Sequence, residues 1–223
     1  MTPTILIGDI HADFVAAKRL IAREEARAGR RLPSVQVGDY GFGHWSPRER
    51  HEVGTFHALN RRHRFLRGNH DRLEDAQGCA GFLPDGTVLG SVLFLGGAAG
   101  ASLGMGETEI PPHEMGQILL DLKQAPLRPS VVISHDAPQF IAQRIAMDVA
   151  KGSTGSSLAL AGNVAGKIST SRTQTFLAEV FAIVRPRLWI FGHWHHAWVY
   201  DEGDTHFRAM GFQEAFTVAL PWN

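Results

Sequence analysis

The sequence contains a single cysteine, Cys79, among 223 residues. One thiol can form neither an intramolecular disulfide nor a cysteine-based zinc site, and nothing indicates an oxidising compartment. Stability must come from packing, and a chain of this length buries a large hydrophobic core without covalent cross-links. We predict that residues 1–223 form a single domain.

Long hydrophobic runs and an excess of charge are also missing. The first apolar stretch, residues 5–7, is interrupted by Asp9 and follows no basic segment, so no signal peptide is predicted. No stretch reaches the roughly 18 apolar residues of a membrane span. Lys plus Arg number 22 and Asp plus Glu number 22, which removes the usual electrostatic argument for a nucleic-acid partner. We therefore expect a cytoplasmic protein with no membrane partner.

Hydrophobic patterns along the chain alternate between strands and helices. Apolar runs at residues 4–8, 34–38 and 64–68 predict strands, and helical patterns follow the first two. Such alternation predicts βαβ units, whereas Thr87–Leu89 and Val92–Leu95 suggest paired strands. Two Gly-rich stretches, residues 100–112 and 151–166, lack periodicity and predict loops. The fold class is therefore α/β with α+β character and a mixed sheet.

Histidine is abundant, with 12 residues, and several of them follow predicted strands. Five strands end in polar clusters: Gly8-Asp9-Ile10-His11, Gly38-Asp39, Gly68-Asn69-His70-Asp71, Ser134-His135-Asp136 and Gly192-His193-Trp194-His195. Ligands of open α/β sheets bind beyond the carboxyl ends of the strands, so we expect these clusters to converge. In extended chain, Asp9 and His11 would project together, and so would His193 and His195.

Imidazoles and carboxylates without a thiolate are typical ligands of Mn, Fe, Co, Ni or Zn. There are seven candidate ligands: Asp9, His11, Asp39, Asn69, His135, His193 and His195. This number is too large for one catalytic ion and suits two ions that share a bridging ligand. The two oxygens of Asp39 make it the natural bridge. Two adjacent ions can bind both the attacking and the leaving oxygen of an in-line displacement, which predicts phosphoester hydrolysis.

The order of these blocks, D-x-H, G-D, G-N-H-D, H and G-H-x-H, resembles the calcineurin-like metallophosphoesterases. The resemblance implies a four-layer α/β/β/α sandwich with mixed sheets, two divalent metal ions, and direct attack of a metal-bridging hydroxide on phosphorus. One ion would be held by Asp9, His11, Asp39 and His195, and the other by Asp39, Asn69, His135 and His193. His70 would act as a general acid or a phosphate contact. The resemblance thus implies His70 and Asp39 as the catalytic residues.

The G-D block departs from one branch of that family. In the serine/threonine protein phosphatases it continues as G-D-x-x-D-R-G, but Phe42 and Gly43 stand at the Asp and Arg positions here. The main hypothesis is hydrolysis of phosphodiesters or phosphomonoesters of a small or nucleotide-like substrate. A protein phosphatase, a nuclease and a non-catalytic scaffold of the same fold are the alternatives. The oligomeric state is left open.

Several further residues are candidates for supporting roles. Asp71 or Asp136 could orient His70, as a carboxylate partner often does for a functional histidine. Phosphate contacts are suggested for Arg72, Arg172 and His44, although each is more commonly a surface or structural residue. Asp13 is expected to cap a helix. The basic run from Arg61 to Arg64 is interpreted as a solvated helix end rather than an anion contact, and core packing is the default for Trp45, Trp194 and Trp198.

Overall fold

The structure, a computed structural model, describes residues 1–100, 108–152 and 171–222. In these residues the strands are β1 (Thr2–Ile7), β2 (Ser34–Gln36), β3 (His63–Phe65), β4 (Thr87–Leu89), β5 (Val92–Leu95), β6 (Val131–Ser134), β7 (Leu188–Phe191), β8 (Trp198–Glu202), β9 (Thr205–Ala209) and β10 (Ala215–Leu220). The helices are α1 (Phe14–Ala28), α2 (Pro47–Leu59), α3 (Leu73–Gln77), α4 (Pro112–Gln124), α5 (Gln139–Gly152) and α6 (Arg172–Val184). Most of the two predicted Gly-rich loops lies outside the described residues.

The strands form two mixed sheets, as predicted. The four-stranded sheet has the order β10-β1-β2-β3, and the six-stranded sheet has the order β4-β5-β6-β7-β9-β8. Strands β1, β2 and β3 run parallel, and β10 pairs antiparallel with β1 so that Leu220 lies opposite Thr2. In the larger sheet β5, β6, β7 and β9 run parallel, with β4 and β8 antiparallel at the edges. The site-forming strands therefore share one direction within each sheet.

Three hydrophobic clusters separate four layers. Ile5 and Ile7 of β1 pack with α1 and α2 on the outer face of the smaller sheet. Leu6 projects to the opposite face, because side chains alternate along a strand, and packs with Phe94 of the larger sheet. On the far side, Leu93 and the other outward residues of the larger sheet pack with α4, α5 and α6. The predicted α/β/β/α sandwich is thus confirmed.

Local sequence signals fix the helices that flank the site. The Asp13 carboxylate accepts a hydrogen bond from the Ala16 backbone N–H at 2.9 Å, which confirms it as the cap of α1. Helix α2 begins with a capping box between Ser46 and Glu49.

Within the described part of the chain, no helix combines the length and apolar character needed to cross a membrane.

Candidate metal centre

Polar side chains follow the carboxyl ends of five parallel strands, where the two sheets meet. These residues are Asp9 after β1, Asp39 after β2, Asn69 after β3, His135 after β6 and His193 after β7. The backbone N–H of His193 lies 3.1 Å from both carboxylate oxygens of Asp9, so the two sheets contact each other through these residues. The structure brings the five strand ends together, as the parallel arrangement predicts.

One group of potential ligands lies towards the solvent. Asp9, His11, Asp39 and His195 each offer a ligand atom, and these atoms all lie within 4.8 Å of one another. Nε2 of His195 is 2.9 Å from Nε2 of His11 and 3.0 Å from Oδ2 of Asp9. Nε2 of His11 is 3.7 Å from Oδ2 of Asp39. The four potential ligand atoms are therefore close enough together to share one ion.

A second group lies deeper. Asp39, His135 and His193 again place ligand atoms within 4.8 Å of one another, and all three residues are buried. Oδ1 of Asn69 lies 3.2 Å from Nε2 of His135 and so adds an oxygen to this group. Among the described residues, Asp39 is the member that both groups share: Oδ2 lies near His11, and Oδ1 lies 3.4 Å from Nε2 of His135.

The surroundings of His135 show that the donor set suits a cation. Its Nδ1 lies 2.9 Å from the Val37 carbonyl oxygen and donates its hydrogen there. Its Nε2 then faces two acceptors, Oδ1 of Asn69 and Oδ1 of Asp39. The Asn69 amide is held in this orientation because Nδ2 donates to the Gly100 carbonyl. Metal-binding histidines typically donate their second N–H to a carbonyl in this way, so these residues fit a divalent ion.

Electrostatics at the centre lead to the same conclusion. Burial raises the pKa of Asp39 to about 7, and the charges of Asp9 and Asp71 add to that effect. Burial lowers the pKa of His11 to about 4. Burial alone would lower the pKa of His135, but the carboxylates of Asp39 and Asp9 outweigh it and raise the pKa. Buried carboxylates this close together are unfavourable without a cation, and a bound metal favours the deprotonated carboxylates and imidazoles that act as ligands.

The backbone at the centre is strained. His11, Asp39, His193 and His195 have φ values of 43°, 55°, 65° and 55°, in the left-handed region that non-glycine residues avoid. Such residues cost about 1–3 kcal/mol each and cluster at functional sites. These turns also invalidate the extended-chain argument for the final block, because His193 belongs to the deep group and His195 to the outer one.

The glycines before the polar residues make room for neighbouring ligands. A Cβ atom on Gly68 would collide with the Asp39 carboxylate, and one on Gly192 would collide with the Asp9 carboxylate. A Cβ atom on Gly38 would collide with the His135 ring. Each glycine thus allows a ligand side chain from another strand to pack directly on the backbone, from the same sheet at Gly68 and from the opposite sheet at Gly38 and Gly192.

His70 lies beside the two groups rather than within them. Its backbone N–H donates to Oδ1 of Asp39 at 2.9 Å, which ties the position of His70 to the shared ligand. The His70 ring is partly exposed and lies 5.0 Å from the His11 ring and 6.0 Å from the His44 ring, measured between centroids. A side chain at this place can approach a substrate bound at the outer group.

The two carboxylates suggested to orient His70 have other partners. The four acceptor positions of Asp71 are used by the backbone N–H groups of Tyr40, Gly41, Phe42 and Gly68. Asp136 accepts hydrogen bonds from the Ala137 backbone N–H, Nε2 of Gln174 and Nε1 of Trp194. Asp71 therefore fixes the loop after β2 against the loop after β3. Asp136 joins the segment after His135 to Gln174 of α6 and to Trp194.

The suggested phosphate contacts differ in their surroundings. His44 is exposed and adjoins His70. Arg72 lies within ion-pair distance of Glu74 and Asp75, and Arg172 bonds to Glu109 at 3.0 Å. His44 is thus placed beside the candidate catalytic residue His70, whereas Arg72 and Arg172 form ion pairs with carboxylates outside the two donor groups. The tryptophans suggested for the core behave as expected at positions 45 and 194, which are 6% and 1% exposed.

Sequence reasoning missed Phe212, an aromatic side chain beside the outer group. Its ring lies 5.8 Å from the His11 ring and 5.6 Å from the His195 ring, and the residue is 49% exposed. Phe212 belongs to the turn between β9 and β10, and Gln213 in that turn donates its backbone N–H to the Asp9 carbonyl. The Gly-Phe-Gln sequence carries no motif, so only the chain fold reveals this proximity.

Comparison with known proteins agrees with this architecture. The protein TT1561 of Thermus thermophilus aligns with a TM-score of 0.58 and 12% identity, over 97% of this chain and 98% of that one. The phosphopantetheinyl hydrolase of Mycobacterium tuberculosis aligns with a TM-score of 0.50 and 12% identity, over 95% of this chain and 91% of that one. No match is found among curated proteins. The sequence model of the calcineurin-like phosphoesterases matches residues 2–197, so the chain belongs to that family of metal-dependent phosphoesterases.

Proposed function

We propose that residues 1–223 form a single-domain, dinuclear-metal-dependent hydrolase of phosphodiesters or phosphomonoesters. The observation that carries this proposal is the shared position of Asp39 between two donor groups, each of which places its ligand atoms within 4.8 Å. A structural site for one ion would need neither a second set of donors nor a shared carboxylate. Two sites joined by a carboxylate are the arrangement that in-line phosphoryl chemistry uses.

The chain's own residues supply two distinct environments for the ions. Asp9, His11, Asp39 and His195 would hold one ion, and Asp39, Asn69, His135 and His193 would hold the other. When bound, divalent ions such as Mn, Fe, Co, Ni or Zn supply Lewis acidity and lower the pKa of a water nucleophile. The deep group is sealed by packing, and the outer group is open to substrate.

His70 is proposed to move a proton. Water gives up one proton to the solvent, and the resulting hydroxide attacks phosphorus. As the bond to the leaving oxygen breaks, the His70 imidazolium donates its proton to that oxygen, becomes neutral, and regains a proton from the solvent before the next turnover. The hydrogen bond from the His70 backbone to Asp39 fixes this side chain relative to the shared ligand. The two donor groups consist of aspartate, asparagine and histidine side chains, without a serine or cysteine that could act as a nucleophile. We therefore propose no covalent enzyme intermediate.

The surroundings favour a small or nucleotide-like substrate. Phe212 offers an exposed aromatic face beside His11 and His195, on which a flat leaving group can stack. Phe42 is 2% exposed and stacks on Phe65, so core packing occupies the position where the protein phosphatases carry an acidic residue. The zero formal charge also argues against a long polyanionic substrate.

The test is an activity panel with the full chain reconstituted with each metal in turn. The substrates are an aryl phosphodiester, an aryl phosphomonoester, a cyclic nucleotide, a phosphopeptide and duplex DNA. We expect metal-dependent turnover of a small ester, abolished by chelator and restored by metal. The matched control is His113→Ala, because the His113 side chain is 82% exposed on α4. The absence of turnover by protein with two bound ions would favour the scaffold alternative, and a preference for DNA would favour the nuclease.

A further inference from the structure

A cavity lies at the end of the smaller sheet opposite the candidate metal centre. It has a volume of about 340 Å³ and is lined by Arg61, Arg62, Arg64, Pro33, Leu89 and Trp222, among others. These residues adjoin the amino ends of β1, β2 and β3, whereas the candidate metal ligands follow the carboxyl ends. Strand β1 has six residues, so at about 3.3 Å per residue roughly 20 Å of sheet separates the two places.

Arg64 occupies an unusual position for a cation. In strand register it pairs with Val35, which in turn pairs with Leu6, so all three share one face of the sheet. Leu6 and Val35 are fully buried in the cluster between the two sheets. Arg64 continues this row at the edge strand β3, where a hydrophobic residue would extend the core. A partly buried guanidinium at such a position calls for an anionic partner.

The described part of the chain supplies almost no such partner. In the described residues, no ion pair joins a carboxylate to Arg61 or Arg64. Nη2 of Arg62 lies 3.6 Å from Oε1 of Glu25, its one ion-pair contact among these residues. That carboxylate is already engaged by Arg31 at 3.1 Å and by the Leu32 backbone N–H at 3.0 Å. Nε of Arg62 is buried without a hydrogen-bond partner. The chain has no formal net charge, yet this cavity carries an unbalanced positive charge.

We propose that this cavity binds a small organic phosphate, of which a nucleotide is the best match, at a site separate from the metal centre. The guanidinium groups of Arg61 and Arg64 would hold the phosphate by charge-assisted hydrogen bonds. Pro33, Leu89 and Trp222 form an apolar wall for the ring of the ligand. The volume lies at the small end of the range of about 300–1,000 Å³ that is typical of ligand pockets, which suits a mononucleotide or dinucleotide better than a long strand.

The test is calorimetric titration of the metal-loaded full chain with α,β-methylene-ADP, whose P–C–P linkage resists hydrolysis. We expect two binding events, one lost when EDTA removes the metals and one that survives. Arg61→Gln and Arg64→Gln should each weaken the EDTA-resistant event roughly tenfold, and the double variant should abolish it. Arg187→Gln is the matched control, because Arg187 is an exposed arginine before β7, and it should leave both events unchanged.

Three results would overturn the proposal. The first is the loss of all binding with EDTA, and the second is an EDTA-resistant event that Arg61→Gln and Arg64→Gln leave unchanged. The third is tighter, steeply salt-dependent binding of a twelve-residue oligothymidine, which would identify a nucleic-acid surface instead. If Arg64→Gln yields no folded protein, Arg61→Gln decides, because Arg61 is exposed and its replacement leaves the core intact.

Discussion

Two pairs of buried histidines lie in different surroundings. His135 and His193 are 0% and 4% exposed and lie beside Asp39 and Asp9 at the candidate metal centre. His57 and His63 are 1% and 2% exposed and lie between α2 and the smaller sheet. Burial alone therefore does not distinguish the two pairs.

The two pairs differ in the groups that their imidazole nitrogens contact. Nε2 of His57 bonds to the Tyr40 hydroxyl at 3.0 Å, and its Nδ1 bonds to the His63 carbonyl at 2.9 Å. The pKa of His57 falls to about 4 because of burial, so its ring is neutral and satisfied by neutral partners. Nε2 of His135 instead faces a carboxylate and an amide oxygen. A buried histidine whose second nitrogen faces only acceptors is the one that points to a metal.

The largest effect on the metal centre is expected from Asp39→Asn, which removes the carboxylate beside His135 and His193. We expect loss of both ions and about 10⁴-fold lower turnover, since losing even an indirect partner typically costs 10–100-fold in metal affinity or activity and Asp39 serves two ions. Metal analysis of the purified variant and steady-state kinetics measure this. The exposed Asp204→Asn is the control. Retention of two ions per chain with normal turnover would exclude the shared role of Asp39.

His70→Ala separates proton transfer from metal binding at the same centre. We expect both ions to stay bound and kcat to fall by about 10²–10³-fold for an alkyl leaving group, within the usual contribution of a positioned acid. The loss should be much smaller for p-nitrophenolate, which leaves without a proton. Kinetics over a series of leaving groups measure this dependence. An equal loss across the series would assign His70 to phosphate binding instead.

Much of the fold could be predicted because its signals are local. Short apolar runs predict the first three strands, and Asp13 before Phe14 correctly marks the start of α1. The five-residue helix α3 was not predicted, because one short turn carries no hydrophobic period. The pairing of β7 with β9 rather than with β8 is set by long-range packing, which the sequence pattern does not encode.

The candidate site was predictable in membership but not in geometry. The motif blocks name the residues, whereas left-handed turns at His193 and His195 direct them into different donor groups. A sequence window contains no sign of a positive φ at histidine, because the surrounding fold enforces that strain. The position of Phe212 beside His11 could not be predicted for a related reason, since it depends on how the β9–β10 turn packs against the segment after β1.

The second histidine pair should control acid stability. The folded-state pKa of His57, about 4, lies below its unfolded value of 6.5, so the unfolded chain binds the proton first as pH falls. Stability is therefore full above about pH 6.5 and decreases towards pH 4, with a loss from His57 of about 2 kcal/mol between pH 7.5 and 5.0. Burial likewise lowers the pKa of His63 to about 4, which adds a loss in the same window.

His57→Gln tests that contribution. Glutamine can retain a hydrogen bond but does not titrate, so the variant should lose about 2 kcal/mol less than the parent protein over the same pH interval. Urea unfolding of metal-free protein at the two pH values measures the difference. His113→Gln, at an exposed site, should behave like the parent. An unchanged pH dependence in His57→Gln would mean that another group dominates acid unfolding.

The smallest expected effect on activity concerns the solvent-facing side of the metal centre, where His11 is half-buried and His195 is exposed. Phe212 is 49% exposed against His11 and His195, so removing its ring should leave both ions bound. Phe212→Ala should lower kcat/KM about fivefold for esters with an aryl or nucleoside group, in line with one aromatic contact, and leave alkyl esters unaffected. Phe212→Leu should show the same selectivity, because it retains apolar area but not the flat face. Leu127→Ala, which removes an exposed apolar side chain elsewhere, is the control. A uniform loss for aryl and alkyl esters would show that Phe212 supports the positions of His11 and His195 rather than contacting the substrate.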